Sequence, residues 1–330
     1  MNDNADIILT LIIPVYNTPS NLLHKCLVPF TQFNDSRIEV IIVDDGSDIK
    51  TANLLDEMKF AVSSRVIHKK NEGQNRARNT GISVARGRYV GFVDSDDMID
   101  VAVLRKMLDA DLWNNDLILY EASIVDDKGT FIKKICKTSA CSKKEYVRNC
   151  AELWLQFINK DFLNRHGGLF LPDGQYIGED LASILPLVID SERIAYTHFS
   201  LYNYTIHKNS IIHTLNNNGH LSILKSFDYL LLSIDGDRFK DYYSEIEWQA
   251  INHILNFESR FQLSSGFDGL RNVHVLHSWV DSHFPHWQKN PYLISGFKTQ
   301  DFKLKLVLKQ HYLLLILLKK INYLLLKLHS

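Results

Sequence analysis

Cysteine is scarce in this chain of 330 residues: Cys26, Cys136, Cys141 and Cys150 are the only four, with neither CxxC spacing nor a histidine pair at zinc-site spacing. That rules against a disulfide framework or a zinc ribbon and leads us to expect reduced, mostly structural thiols. A basic, apolar leader is missing too. Met1 to Asp6 is polar and acidic, so a cytoplasmic location is expected. No GxGxxG follows the first apolar strand, which argues against a Rossmann dehydrogenase. Internal repeats and low-complexity linkers are absent. Basic excess is absent as well: 37 Lys and Arg balance 38 Asp and Glu, and the net charge of -1 speaks against general nucleic-acid binding. The one local imbalance is at the end, where no Asp or Glu follows Asp301.

What remains is an ordinary folded composition, 45% hydrophobic and 23% charged, long enough for about two compact units. Apolar strands are expected at Ile7 to Ile13 and Glu39 to Val43, with a shorter one at Arg65 to His68 and another at Arg88 to Val93. Helical spacing fills the intervals at Ser20 to Phe33, Thr51 to Phe60 and Gln74 to Ala85. Fully apolar strands alternating with helices indicate a parallel sheet covered on both faces, and ligands of such sheets sit at the carboxyl ends of the strands. Pro14-Val15-Tyr16-Asn17, Asp44-Asp45-Gly46-Ser47 and Asp94-Ser95-Asp96-Asp97 each follow a strand, so they should share one edge.

Three carboxylates within four residues repel one another, and a hard divalent cation with oxygen ligands is the usual relief. A cation held by one or two carboxylates keeps positions open for phosphate, which makes a diphosphate-bearing substrate the first hypothesis. Read alone, the same run is an acidic turn capping a helix that starts near Val101. Arg76 and Arg78, on the first turns of the helix after Asn71 to Gly73, add positive charge where a helix N-terminus already favours phosphate. Glu179-Asp180 precedes an apolar helical run and by itself reads as a cap. Ile194 to Tyr204 reads as an aromatic strand, and from about Leu221 the chain is mainly helical. In a single helical projection Lys305, Lys309, Lys319, Lys320 and Lys327 fall on one narrow face, the pattern of a basic amphipathic helix lying in a membrane interface. A packed helix with a solvated lysine face is the alternative.

The segments Ile12 to Asn17, Val43 to Ser47, Asn71 to Ile82 and Gly87 to Asp97, in this order and spacing, resemble glycosyltransferase family 2 of the bacterial surface-polysaccharide type. The close match covers roughly the first third of the chain. The resemblance implies the GT-A fold, a mostly parallel Rossmann-like sheet between helices with a helical C-terminal extension. It divides the chain into a donor half at 1–115, an acceptor half at 116–215 and a helical region at 216–330 that ends in the membrane-associating helix. Pro14, Val15, Tyr16, Asp45, Arg78, Asp94 and Ser95 would line the donor site, and Asp96 would bind Mn or Mg. Asp180 matches the family's general base. Trp154, Glu179, His207 and Lys208 are further candidates on the acceptor side. Tyr204 to Ser210 departs from the family's pattern by lacking an arginine: either His207 or Lys208 would replace its diphosphate contact, or the loop is altered and turnover is weak.

The activity so implied is inverting transfer of a sugar from a nucleotide-diphosphate sugar to a lipid-linked or growing surface glycan, as in capsule, exopolysaccharide or lipopolysaccharide assembly, at the inner face of the cell membrane. Two rivals are a non-catalytic scaffold of the same fold that binds nucleotide or glycan, and a phosphoacceptor receiver domain suggested by Asp44-Asp45 and Asp94. The receiver accounts for little of the long second half.

Overall fold

A computed structural model of the chain describes residues 6–136, 142–149, 152–168, 177–206, 217–296, 302–318 and 321. His207, Lys208 and the lysines at 319, 320 and 327 lie outside them. Two compact units divide the chain: Met1–Tyr146, Cys150–Gln175 and Asp180–Ser210 form the first, and Val147–Asn149, Tyr176–Glu179 and Ile211–Ser330 the second.

The first unit is built on β1 (Leu9–Val15), β2 (Ile38–Asp44), β3 (Ser63–His68), β4 (Tyr89–Phe92), β5 (Met98–Ile99), β6 (Leu117–Val125), β7 (Phe131–Cys136), β8 (Gln156–Asn159) and β9 (Ile194–Thr205). They form one sheet ordered β3-β2-β1-β4-β8-β6-β9-β5, with β7 alongside β6. The block β3-β2-β1-β4 is parallel, as the apolar strand signals predict. Every residue of β1 and β2 is buried, the mark of strands covered on both faces. Beyond β4 the sheet turns mixed: β8 runs antiparallel to β4 and β6, and β9 pairs parallel with β6.

Helices α1 (Ser20–Gln32), α2 (Ile49–Glu57), α3 (Gln74–Val84) and α4 (Val101–Leu108) follow the first strands in turn. After them come α5 (Lys143–Asn149), α6 (Lys160–Arg165) and α7 (Glu179–Asp190). α3 packs on β1 and β2 at unusually short range. A Cβ placed on Gly81 would sit 2.4 Å from Ile12 Cγ2, so only glycine permits this approach. A second constraint holds the first strand to its neighbours. The buried Glu39 carboxylate accepts from Thr10 Oγ1 at 2.7 Å, the Arg86 amide at 2.6 Å and Arg86 Nε at 2.8 Å. Burial pushes that carboxyl up, but these hydrogen bonds and the Arg86 charge outweigh it and leave it below the ordinary range.

The second unit is helical, with a core that includes Leu263, Val273, Leu306, Val307, Tyr312, Leu315 and Ile316. One helix does not run through its terminal segment. The helix Phe302–Leu308 stops because Gln310 takes a left-handed φ of 58°. The Gln310 amide donates to Val307 O at 2.9 Å and the His311 amide to Leu306 O at 2.8 Å, a Schellman closure. Helix resumes at 312–318 with Tyr312, Leu315 and Ile316 buried. The single 100° projection that aligned Lys305 and Lys309 with the later lysines therefore fails at Gln310. Leu313, Leu314, Leu317 and Ile321 are exposed. No helix of the described residues is long and apolar enough to cross a membrane.

Candidate active site

Parallel pairing of β1 with β2 and β4 brings the three strand-end motifs to one edge. Pro14 and Val15 are buried in β1, whereas Tyr16, immediately beyond, is 53% exposed and offers an aromatic face. Asp45 follows β2 and is buried. Its Oδ1 accepts from Lys69 Nζ at 2.9 Å and the Glu72 amide at 3.0 Å, and its Oδ2 from the Gly73 amide at 2.8 Å. Asp45 thus ties down the turn that leads into α3. Gly46, with φ of 77°, makes the reversal after it possible.

The acidic turn after β4 is divided by its contacts. Asp94 Oδ1 accepts from Gln74 Nε2 at 3.0 Å and from Arg78 Nη2 at 2.9 Å. Ser95 Oγ lies 2.6 Å from Thr18 Oγ1. Asp97 is buried and accepts from the Tyr202 hydroxyl at 2.8 Å and the Thr205 amide at 2.7 Å. It does not cap the following helix: Asp100 does, accepting from the Ala102 and Val103 amides. Asp96 is half-buried on the same turn. Crowding shows in the titration of these groups. Burial, opposed by Arg78 and reinforced by Asp180 and Asp96, pushes Asp94 up to about 6. Burial, with the charges of Asp94 and Asp96, also drives Asp97 well above the ordinary range.

Asp180 comes from far along the chain, as the second residue of α7. Its Oδ1 accepts from Arg78 Nη1 at 3.1 Å, and its Oδ2 lies 3.4 Å from the Leu153 amide. Arg78 is 2% exposed and so joins the acidic turn to Asp180 through one buried guanidinium. The expectation of arginines lining a phosphate site therefore takes a different form at this position, because the Arg78 fork is directed at carboxylates. Glu179, the first residue of α7, falls in the second unit, whereas Asp180 falls in the first. Trp154 is only 6% exposed and stacks on Tyr202 and Tyr204 at centroid distances of 4.4 and 5.7 Å. Tyr202 and Tyr204 were not singled out from the sequence. Their aromatic strand was legible, but its pairing beside the acidic turn was not.

Mn or Mg takes ligands from one or two carboxylates plus phosphate oxygens and keeps several waters, so it needs no closed protein cage. Among the described residues no cluster of three or more His, Cys, Asp or Glu could hold a metal by itself. The oxygen donors of this edge, the half-buried Asp96 among them, are of the kind such a cation takes. Cys26, buried near the turn, is unsuited to the purpose: burial and the three aspartates push its thiol well up.

Solved structures share this architecture. Residues 1–349 of S. aureus TarS match with a TM-score of 0.69 and 15% identity over 96% of this chain and 92% of that one. The complex of the same protein with UDP-GlcNAc matches with a TM-score of 0.65 and 16% identity over 83% and 81%. The architecture is thus that of the GT-A glycosyltransferases. Residues 10–165, just under half of the chain, match the profile described as "Glycosyl transferase family 2". Among curated relatives, the putative glycosyltransferase EpsH of Bacillus subtilis is 27% identical over 81% of this chain and 82% of its own length. EpsJ of the same organism is 27% identical over 62% of each chain. Residues 10–165 thus form a glycosyltransferase family 2 domain, and the chain is a transferase enzyme.

Proposed function

We infer that the protein moves a sugar from a nucleotide-diphosphate sugar to a hydroxyl of a lipid-linked or growing surface glycan, with inversion at the anomeric carbon. The observation that carries this reading is the meeting of the strand-end Asp94 with Asp180 through Arg78. It gives one site a donor side and a candidate base. Tyr16, with Pro14, Val15 and Asp45, would receive the base and ribose, and Asp94 and Ser95 would border the ribose end. A cation on Asp96, when bound, supplies charge stabilisation at the departing diphosphate. Asp180 takes the proton of the acceptor hydroxyl as its oxygen bonds to the anomeric carbon. The bond to the diphosphate breaks on the opposite face, and the electron pair leaves with the nucleoside diphosphate. Residues 1–115 would then serve the donor and 116–215 the acceptor, with Trp154 as a support on the acceptor side.

The location proposed is peripheral, on the inner face of the cell membrane. The exposed Leu313, Leu314, Leu317 and Ile321 beside a lysine-rich terminus with no acidic residue after Asp301 support it. The test is nucleoside diphosphate release from UDP-glucose, UDP-galactose, UDP-N-acetylglucosamine and GDP-mannose with Mn, with n-octyl β-glucoside or water as acceptor. Turnover of one donor, lost in Asp96→Ala, is expected. Tight Mn-dependent binding without turnover of any donor would favour the scaffold instead.

A further inference from the structure

The guanidinium of Arg78 is almost wholly buried, yet both of its outer nitrogens are spent on carboxylates from distant parts of the chain. Stability alone is a weak reason for such an arrangement, since taking charges out of water costs about as much as their attraction returns. Asp94 Oδ1 already has a neutral donor in Gln74. Among the described residues Asp180 has one long contact besides Arg78, to the Leu153 amide at 3.4 Å. The orientation of Asp180 therefore depends on Arg78 more than that of Asp94 does.

We propose that Arg78 is a positioning residue for the transfer step, a planar fork that sets the Asp180 carboxylate at a fixed place relative to the donor-side Asp94. The inference rests on the reading of Asp180 as the general base. An arginine suits the task because its donors sit in a rigid plane and reach two carboxylates at once. A lysine ammonium is a point donor on a flexible stem and would leave one of the two unheld. α3 is held in register for this by the close approach of Gly81 to Ile12. Proton abstraction tolerates little displacement, because a base must lie within hydrogen-bond reach of the hydroxyl it serves.

The experiment compares the wild-type protein with Arg78→Lys, Asp180→Glu, Asp180→Asn and the double variant Arg78→Lys/Asp180→Asn. Steady-state kinetics use whichever donor of the panel above the wild type turns over, and calorimetry measures UDP binding with Mn. Arg78→Lys and Asp180→Glu should each lower kcat by about 100-fold, the scale of a misplacement near 1 Å. Donor KM and UDP affinity should stay within about threefold, since uniform binding is untouched. Arg78→Lys should add nothing on the Asp180→Asn background, because both act through one carboxylate.

Full kcat in Arg78→Lys together with an inactive Asp180→Asn would overturn the positioning role and leave the base standing. A raised donor KM at unchanged kcat would make Arg78 a donor ligand and overturn it as well. Wild-type transfer by Asp180→Asn, or no turnover by the wild type, would remove the base reading first. Should circular dichroism show that Arg78→Lys does not fold, Asp180→Glu decides, and full kcat there overturns the proposal.

Discussion

Tyr202 donates its hydroxyl to the Asp97 carboxylate at 2.8 Å and with the same oxygen accepts the Asp94 amide at 3.1 Å. A residue of β9 thereby pins both ends of the acidic turn, across more than a hundred positions of chain. Burial, with Asp97 and Asp94 alongside, pushes the phenol well above its ordinary range, so it remains a donor. Tyr202→Phe removes both hydrogen bonds and leaves Asp97 short of one partner. We expect a loss of about 1–3 kcal/mol in urea unfolding. Weaker UDP binding with Mn should accompany it, because Asp96 shares the turn.

Gly81→Ala tests the seating of α3. The added methyl meets Ile12 at 2.4 Å, and the helix must shift. A cost of about 1–3 kcal/mol is expected from overpacking, read by thermal or chemical unfolding. Gly81→Ala should cost less on an Ile12→Ala background than on the wild type, because the Ile12 γ-carbons that obstruct the methyl are then gone.

Much of this was legible beforehand. β1, β2 and β4 are short, apolar and bounded by turn residues, so their positions and the shared edge followed from the pattern. Asp100 was harder to see as the cap of α4, because Asp94, Asp96, Asp97 and Asp100 are equally good caps by composition. Long-range contacts separate them: Thr205 and Tyr202 hold Asp97, and Arg78 and Gln74 hold Asp94. The Arg78 contact with Asp180 was invisible for the same reason: 102 residues divide the partners, and no spacing rule spans them. The break at Gln310 was missed because a non-glycine residue in the left-handed region carries little local signal.

His277 gives the second unit an acid-sensitive element. It is buried against Tyr312 and Trp287, with ring centroids 5.5 and 6.3 Å away, and neither ring nitrogen has a hydrogen-bond partner among the described residues. Burial lowers its pKa to about 4 from the usual 6.5, with Asp281 opposing and His274 adding to the shift. A depressed histidine binds its proton more readily when unfolded. Its contribution is therefore complete above pH 6.5 and is lost as pH falls toward 4, by roughly 3 kcal/mol. Urea unfolding at several pH values should show a shallower decline over that window in His277→Leu.

The terminal surface makes a separate prediction. Vesicles containing anionic lipid should sediment the wild-type protein, and Leu313→Glu/Leu317→Glu should stay in the supernatant. Equal sedimentation of both would mean that this face is not the point of attachment.

The most direct test of the account is the transfer rate of Asp180→Asn beside its affinity for UDP and Mn. The prediction is a fall in kcat of about 10²–10⁴-fold, the usual contribution of a general base, with nucleotide affinity retained. Wild-type turnover in Asp180→Asn would contradict it.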